Sequence, residues 1–282
     1  MRTLTLVSLM ADNARLFYRS LAEYLCESTS ADVRVVDDVS WQDREQLLYS
    51  GQADIAFLCG LQYVQRTDLQ LLAAPVMQAA RYGDRPIYFS DVVVRKESRF
   101  RSFEDLRGAS WAYNEPTSHS GCNLVRYYLA SMGEDARFFR RVVGSGAHQE
   151  SLRLLAEGSI DATAIDSTVL EMELEQRPEL AASIRVVHTL GPSPIPPVVA
   201  RRSVPLELQE IIRRTLLQIH NTNDGRRVLD SGMLRRFALV VDADYDPIRE
   251  MARQAGAVTF AEEGDDPSVE LASASTSGRS CL

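Results

Sequence analysis

The sequence predicts an α/β protein of two lobes, each a mostly parallel sheet flanked by helices. Two observations carry that prediction. Apolar residues switch repeatedly between a period of two and a period near 3.6, so short strands alternate with helices along most of the chain. Two extended segments, 86–90 and 191–197, then bracket a run of strands and helices that is complete in itself. The length of 282 residues suits two compact lobes.

The elements follow in order. Leu4–Leu9 alternates as a strand, and Ala14–Glu27 places Leu16, Phe17, Leu21, Tyr24 and Leu25 on one helical face. Val33–Val36 is a strand, Trp41–Ser50 a helix closed by Gly51, and Ile55–Leu58 a short apolar strand. Strands at Leu71–Ala74, Tyr88–Val94 and Ser110–Tyr113 lead to a helix from about Ser120 to Met132. Phe138–Val143, Ala162–Ile165 and Ile184–Thr189 are strands, with helices at Gln149–Glu157 and Val169–Gln176 between them. A strand at Val198–Ala200, helices at Leu206–Asn221 and near Gly225–Gly232, and a unit around Phe237–Val241 complete the pattern. Strands joined through helices imply right-handed crossovers.

Residues 1–88 and 191–258 are expected to form a discontinuous outer lobe, with 89–190 as an inner lobe inserted between them. The second crossing, Gly191-Pro192-Ser193-Pro194-Ile195-Pro196-Pro197, is held extended by four prolines. From 259 to 282 the chain is expected to be a disordered tail, because its Ser, Ala, Asp and Glu bury too little apolar surface to offset ordering entropy.

Composition narrows the function. Asp and Glu number 39 against 31 Lys and Arg, a net charge of −8, which argues against non-specific nucleic-acid binding. No apolar run approaches the roughly 18 residues of a membrane span, so no membrane insertion is expected. Met1 leads straight into the first strand with no basic segment, long apolar run or cleavage site, which predicts a cytoplasmic location if the chain as written is full length. Cys26, Cys59, Cys122 and Cys281 are far apart, and the four histidines lack metal-ligand spacing, so no metal and no cofactor are expected.

The chemistry concentrates in two stretches. In SFEDLRGASWAYNEPTSHSGCN, a strand turns into a helix through Glu115, Thr117, Ser118, His119, Ser120 and Gly121. Hydroxyls and backbone N–H groups at a helix start suit an oxyanion, and the same residues suit an ordinary helix cap. In GSGAHQESLRLLAEGSIDATAIDS, His148 opens a helix and Asp166 ends a strand. Ligands in open α/β sheets gather at strand carboxyl ends, so Ser118–Ser120, His148 and Asp166 are expected to face one crevice.

Four segments resemble the phosphate, phosphite and phosphonate-binding solute receptors of ABC transporters, which have the type II periplasmic-binding-protein fold. They are LLYSGQADIAFLCGLQY, YFSDVVVRKESRFRSFEDLRG, YNEPTSHSG and the GSGAHQ stretch, and the resemblance runs from about Leu4 to Val241. It implies a small oxyanion held between the lobes for ABC-type uptake. Ser118, His119 and Ser120 with their amides and Gly121 would hold the anion, His148 would add a hydrogen bond, and Tyr88 would line the cleft. Tyr63, or a residue near Leu58–Gly60, would close it from the outer lobe, with Asp166 at the rim. The resemblance also implies a periplasmic location and an ABC permease as partner. Three departures stand out: His119 replaces the family's Thr, the proline-rich crossing lacks an acid for a ligand ammonium, and the sequence as written shows no secretion signal.

The alternatives are a cytoplasmic ligand sensor with a signalling partner and a diverged enzyme of the same fold. Glu115, His119, His148, Asp166 and the serines supply nucleophile, base and orienter on paper. The chain has no Gly-x-Ser-x-Gly elbow, HExxH or P-loop, and GSGAHQ lacks the third glycine of a dinucleotide fingerprint, so no catalytic residues are expected.

Overall fold

The computed structural model describes residues 3–29 and 31–260. The first sheet has six strands in the order β11-β4-β10-β3-β1-β2 and the second five in the order β7-β6-β8-β5-β9. In the first lobe, β1 (Thr3–Ser8), α1 (Arg15–Ser28), β2 (Asp32–Val36), α2 (Trp41–Tyr49), β3 (Ile55–Phe57), α3 (Gly60–Val64) and β4 (Leu69–Met77) come in sequence. The second lobe contains β5 (Ile87–Arg95), β6 (Ser110–Tyr113), α4 (Leu124–Ser131), β7 (Arg141–Gly144), α5 (His148–Ala156), β8 (Ala162–Asp166), α6 (Ser167–Gln176), α7 (Pro178–Ser183) and β9 (Ile184–Pro194). The chain returns through β10 (Val198–Arg201), α8 (Leu206–Gln218), α9 (Asn223–Ser231) and β11 (Leu234–Ala238), and α10 (Asp246–Ala255) follows.

The sheets are mixed rather than mostly parallel. β1 pairs in parallel with β2 and β3, and β6 with β7 and β8, through helical crossovers. The strands that carry the chain between lobes run the other way: β5 is antiparallel to β8 and β9, and β10 is antiparallel to β3 and β4. A chain that leaves one lobe and returns must reverse, and antiparallel pairing is the result. The two crossings are joined as well, with Tyr88 opposite Ser193 and the Ile195 N–H donating to the Pro86 carbonyl at 3.1 Å. The expected strand Ile184–Thr189 therefore extends to Pro194. Its prolines are tolerated because β9 is an edge strand, where N–H groups need no ladder partner.

Each lobe has its own core. In the first, Leu4, Leu6, Phe17, Leu21, Phe57 and Leu216 are buried together, and Phe57 packs its ring against Phe17 and Tyr18. In the second, Trp111 stacks on Phe139 at 4.5 Å between ring centres and Phe103 stacks on Phe138. Emptying such a site by Trp111→Ala would cost about 3–5 kcal/mol.

The last strand among the described residues is Leu234–Ala238, earlier than the unit expected around Phe237–Val241; Leu239 and Val241 are exposed beyond it. The segment after it joins both lobes. α10 packs on α4 and α3, with Ile248 in the first core, while Val258 and Phe260 lie in the second. Phe260, which the expected tail included, stacks on Tyr113. The remainder of that tail, 261–282, lies outside the described residues.

Candidate functional site

The site begins where β6 ends. Asn114 to Thr117 turn the chain, and Ser118, extended at φ −74° and ψ 129°, caps the next turn by accepting the Gly121 N–H on its Oγ at 3.1 Å. One π-helical turn, His119–Asn123, then feeds α4. Ser90 Oγ on β5 donates to the Ser120 carbonyl at 2.7 Å and fixes this turn against the sheet. Position 121 requires glycine, since a Cβ there would lie 1.9 Å from Asn114 Oδ1 and 3.3 Å from His148 Cε1.

A cavity of about 390 Å³ lies between the lobes. The first lobe lines it with Leu9, Met10, Asp12, Trp41, Arg44, Cys59 and Gln62. The second lobe supplies Asn114, Glu115, Thr117, Ser118, Ser120, His148 and Asp166, and the crossings add Tyr88 and Pro196. Expected site residues Tyr88, Glu115, Thr117, Ser118, Ser120, His148 and Asp166 border this one space; of the set expected from strand-end placement, His119 does not.

Their environments differ. His148 is buried, and its Nε2 lies 3.4 Å from Ser120 Oγ while its Nδ1 has no partner among the described residues. Burial lowers its pKa to about 4, so the imidazole is neutral near pH 7 and donates through one nitrogen only. Asp166 Oδ1 caps α6 by accepting from the Thr168 N–H and Oγ1 at 2.8 and 2.7 Å. Burial raises its pKa to about 6. Glu115 is raised to about 7, first by burial and then by the charge of Glu45 on α2. Tyr88 is fully buried and its phenol is pushed well up by desolvation.

Three expected residues lie elsewhere. Tyr63 does not border the cavity: its hydroxyl donates to Asp242 Oδ1 at 2.8 Å and its ring packs on Tyr245. From the stretch Leu58–Gly60, Cys59 reaches the cavity instead. His119 is completely buried away from it, with Nε2 3.0 Å from Ser193 Oγ and Nδ1 3.0 Å from Asn123 Nδ2. Burial lowers its pKa to about 3, so an imidazolium at this position is not part of the site. Gly121 acts by having no side chain.

The backbone amides of the turn are also largely committed. The Ser118 N–H donates to the Glu115 carbonyl, the His119 N–H to Cys59 Sγ across the lobes at 3.2 Å, and the Gly121 N–H to Ser118 Oγ. Side-chain hydroxyls and imidazole therefore dominate the donor set. Sequence reasoning missed Arg44 and Asn114. Asn114 follows the end of β6, a position the strand-end rule covers, and its Oδ1 is buried without a partner among the described residues. Arg44 lies three residues after Trp41 and four before Leu48, so its place on the buried face of α2 could have been read from the spacing.

Comparison with known proteins gives the fold and the family. A solved binding-protein component of an ABC phosphonate transporter from Pseudomonas aeruginosa is similar over 90% of this chain and 87% of its own, with a TM-score of 0.80 and 19% identity. A phosphonate-binding protein of Prochlorococcus marinus, solved in complex with methylphosphonate, covers 90% and 98% at a TM-score of 0.79 and 17% identity. A Xanthomonas citri protein bound to ATP covers 90% and 97% at 0.69 and 17%. The fold is that of the type II periplasmic binding proteins. The profile of the periplasmic substrate-binding proteins of ABC phosphonate transporters matches residues 8–245, and the chain belongs to that family.

Proposed function

We propose that this chain binds a compact phosphorus oxyanion, a phosphonate in the first instance, in the cavity between its lobes and delivers it to an ABC permease. The observation that carries the reading is the convergence of Ser118, Ser120, His148 and Tyr88 on one cleft between the lobes. These groups offer hydroxyl and imidazole donors, and hydrogen bonds to a charged acceptor are the strong ones. The family is periplasmic, and that is the location proposed here. No helix among the described residues is long and apolar enough to cross a membrane.

The cavity also has room for more than a phosphonate group. At about 390 Å³ it falls within the range of small-molecule sites, roughly 300–1,000 Å³. Leu9, Met10, Trp41, Val169 and Pro196 supply apolar wall for an organic substituent. Asp166 and Glu115 are the acids available to a ligand ammonium, in place of one in the proline-rich crossing. The partial charge state of both predicts modest preference for aminoalkylphosphonates over alkylphosphonates.

A thermal-shift screen of methylphosphonate, phosphite, phosphate, sulfonates and carboxylates tests the reading. A ligand at 100 times its Kd adds roughly 2.7 kcal/mol of stability. Stabilisation by phosphorus oxyanions over carboxylates supports it, and stabilisation by carboxylates alone contradicts it. The sensor and enzyme alternatives gain no support from the family or the fold neighbours.

A further inference from the structure

We infer that Arg44, from the outer lobe, is the partner of the ligand's negative charge, facing it across the cavity from Ser118 and Ser120. The inference rests on the oxyanion reading and adds to it a residue and a direction of approach.

Arg44 is the only arginine or lysine among the described residues that line the cavity, whose other charged walls are the carboxyl groups of Asp12, Glu115 and Asp166. An oxyanion entering that space without a cation meets net repulsion. Both histidine and hydroxyl donors on the inner wall are neutral, so the formal positive charge must come from Arg44.

The guanidinium is buried and underused. Its side chain is 4% exposed, Nη2 donates to Asp12 Oδ1 at 2.8 Å, and Nε has no partner among the described residues. Asp12 is itself shared, because its Oδ2 accepts from Arg15 Nη2 at 3.1 Å. Asp12 is thus shared between two guanidinium groups, of which Arg15 has a second carboxylate, Asp37 Oδ2, at 4.0 Å. A buried cation with spare N–H groups is costly unless another acceptor meets it. A phosphonate does so well, since the planar fork of a guanidinium presents paired N–H groups to tetrahedral oxygens. Arg44 is placed for this by its helix: Ser40 caps α2 by accepting the Asp43 N–H, and Leu48, one turn on, anchors the same face in the core.

Titration calorimetry with methylphosphonate at low and high salt tests the assignment on wild type, Arg44→Gln, Arg44→Lys and Asp12→Asn, each checked for a folded transition by calorimetry. Arg44→Gln is expected to weaken binding by about 30-fold or more and to flatten its salt dependence. Arg44→Lys is expected to recover part of the affinity. Asp12→Asn is expected to tighten binding, because it frees the guanidinium from its neutralising partner. Asp12 also borders the cavity, so its loss removes a repulsive charge as well; the Arg44→Gln/Asp12→Asn double variant separates the two effects, because tightening that acts through Arg44 disappears in it, and tightening that persists overturns the assignment. Arg44→Gln binding as tightly as wild type, or Asp12→Asn weakening binding, overturns the assignment while leaving the oxyanion reading intact. Wild type that binds no phosphorus oxyanion overturns both.

Discussion

His119 Nε2 lies 3.0 Å from Ser193 Oγ, so the imidazole in the middle of the Ser-His-Ser turn fastens that turn to the second crossing and never reaches the cavity. Since Ser193 sits opposite Tyr88 in the paired crossings, turn, crossing and cavity wall form one connected unit.

The first prediction concerns this contact. With its pKa lowered from 6.5 to about 3 by burial, His119 should show no imidazole titration in NMR spectra between pH 8 and 5. The stability it contributes is fully present above pH 6.5 and is lost as pH falls toward 3. Ser193→Ala should cost about 1 kcal/mol in denaturant unfolding and leave the methylphosphonate affinity unchanged. A His119 that titrates near 6.5 contradicts its burial.

Gly121 gives a second prediction. A Cβ 1.9 Å from Asn114 Oδ1 forces the strand end and the turn apart. Gly121→Ala should lose about 1–3 kcal/mol of stability and weaken oxyanion binding together. A variant with wild-type Tm would show that Asn114 moves aside freely.

A third prediction follows from Glu115, whose pKa is raised from 4.5 to about 7. Its folded value lies above the unfolded one, so its contribution to stability is full below pH 4.5 and fades as pH rises through 7. Glu115→Gln should therefore raise Tm at pH 8 and leave it little changed at pH 4.5. On ionisation Glu115 also repels a bound anion. The ratio of wild-type to Glu115→Gln Kd for one ligand should rise from pH 6 to pH 8, a comparison that cancels the ligand's own titration. A constant ratio would place the Glu115 charge out of reach of the ligand.

Much of this arrangement was legible in the residues. Alternation gave Ser110–Tyr113 as a strand with the bounds observed, and the resemblance gave the fold and its family. The mixed sheets were not legible, because strand direction depends on where a crossing returns and period alone carries no sense of direction. α3, α7 and α10 were missed: the first two have five and six residues, too few to establish a period, whereas α10 was legible, since Ile248, Met251, Ala252 and Ala255 repeat at helical spacing after Asp246-Pro247. Ser118, Ser120 and His148 border the cavity because strand ends collect polar side chains. His119 misled because adjacent residues on a turn point in different directions, and motif matching treats them as one group. Arg44 was overlooked because α2 was read for its apolar residues and not for the charged one in their stripe.

The central claim, an oxyanion held by Ser118, Ser120 and His148 between the lobes, is tested most directly by calorimetric titration of methylphosphonate into wild type and the Ser118→Ala/His148→Ala variant. Two hydrogen bonds to a charged group, each about 1.5–3 kcal/mol, should be lost. Measurable binding to wild type is expected, with a fall of at least about 100-fold in the variant and its unfolding transition retained. Wild-type affinity in the folded double variant would place the anion site elsewhere in the protein.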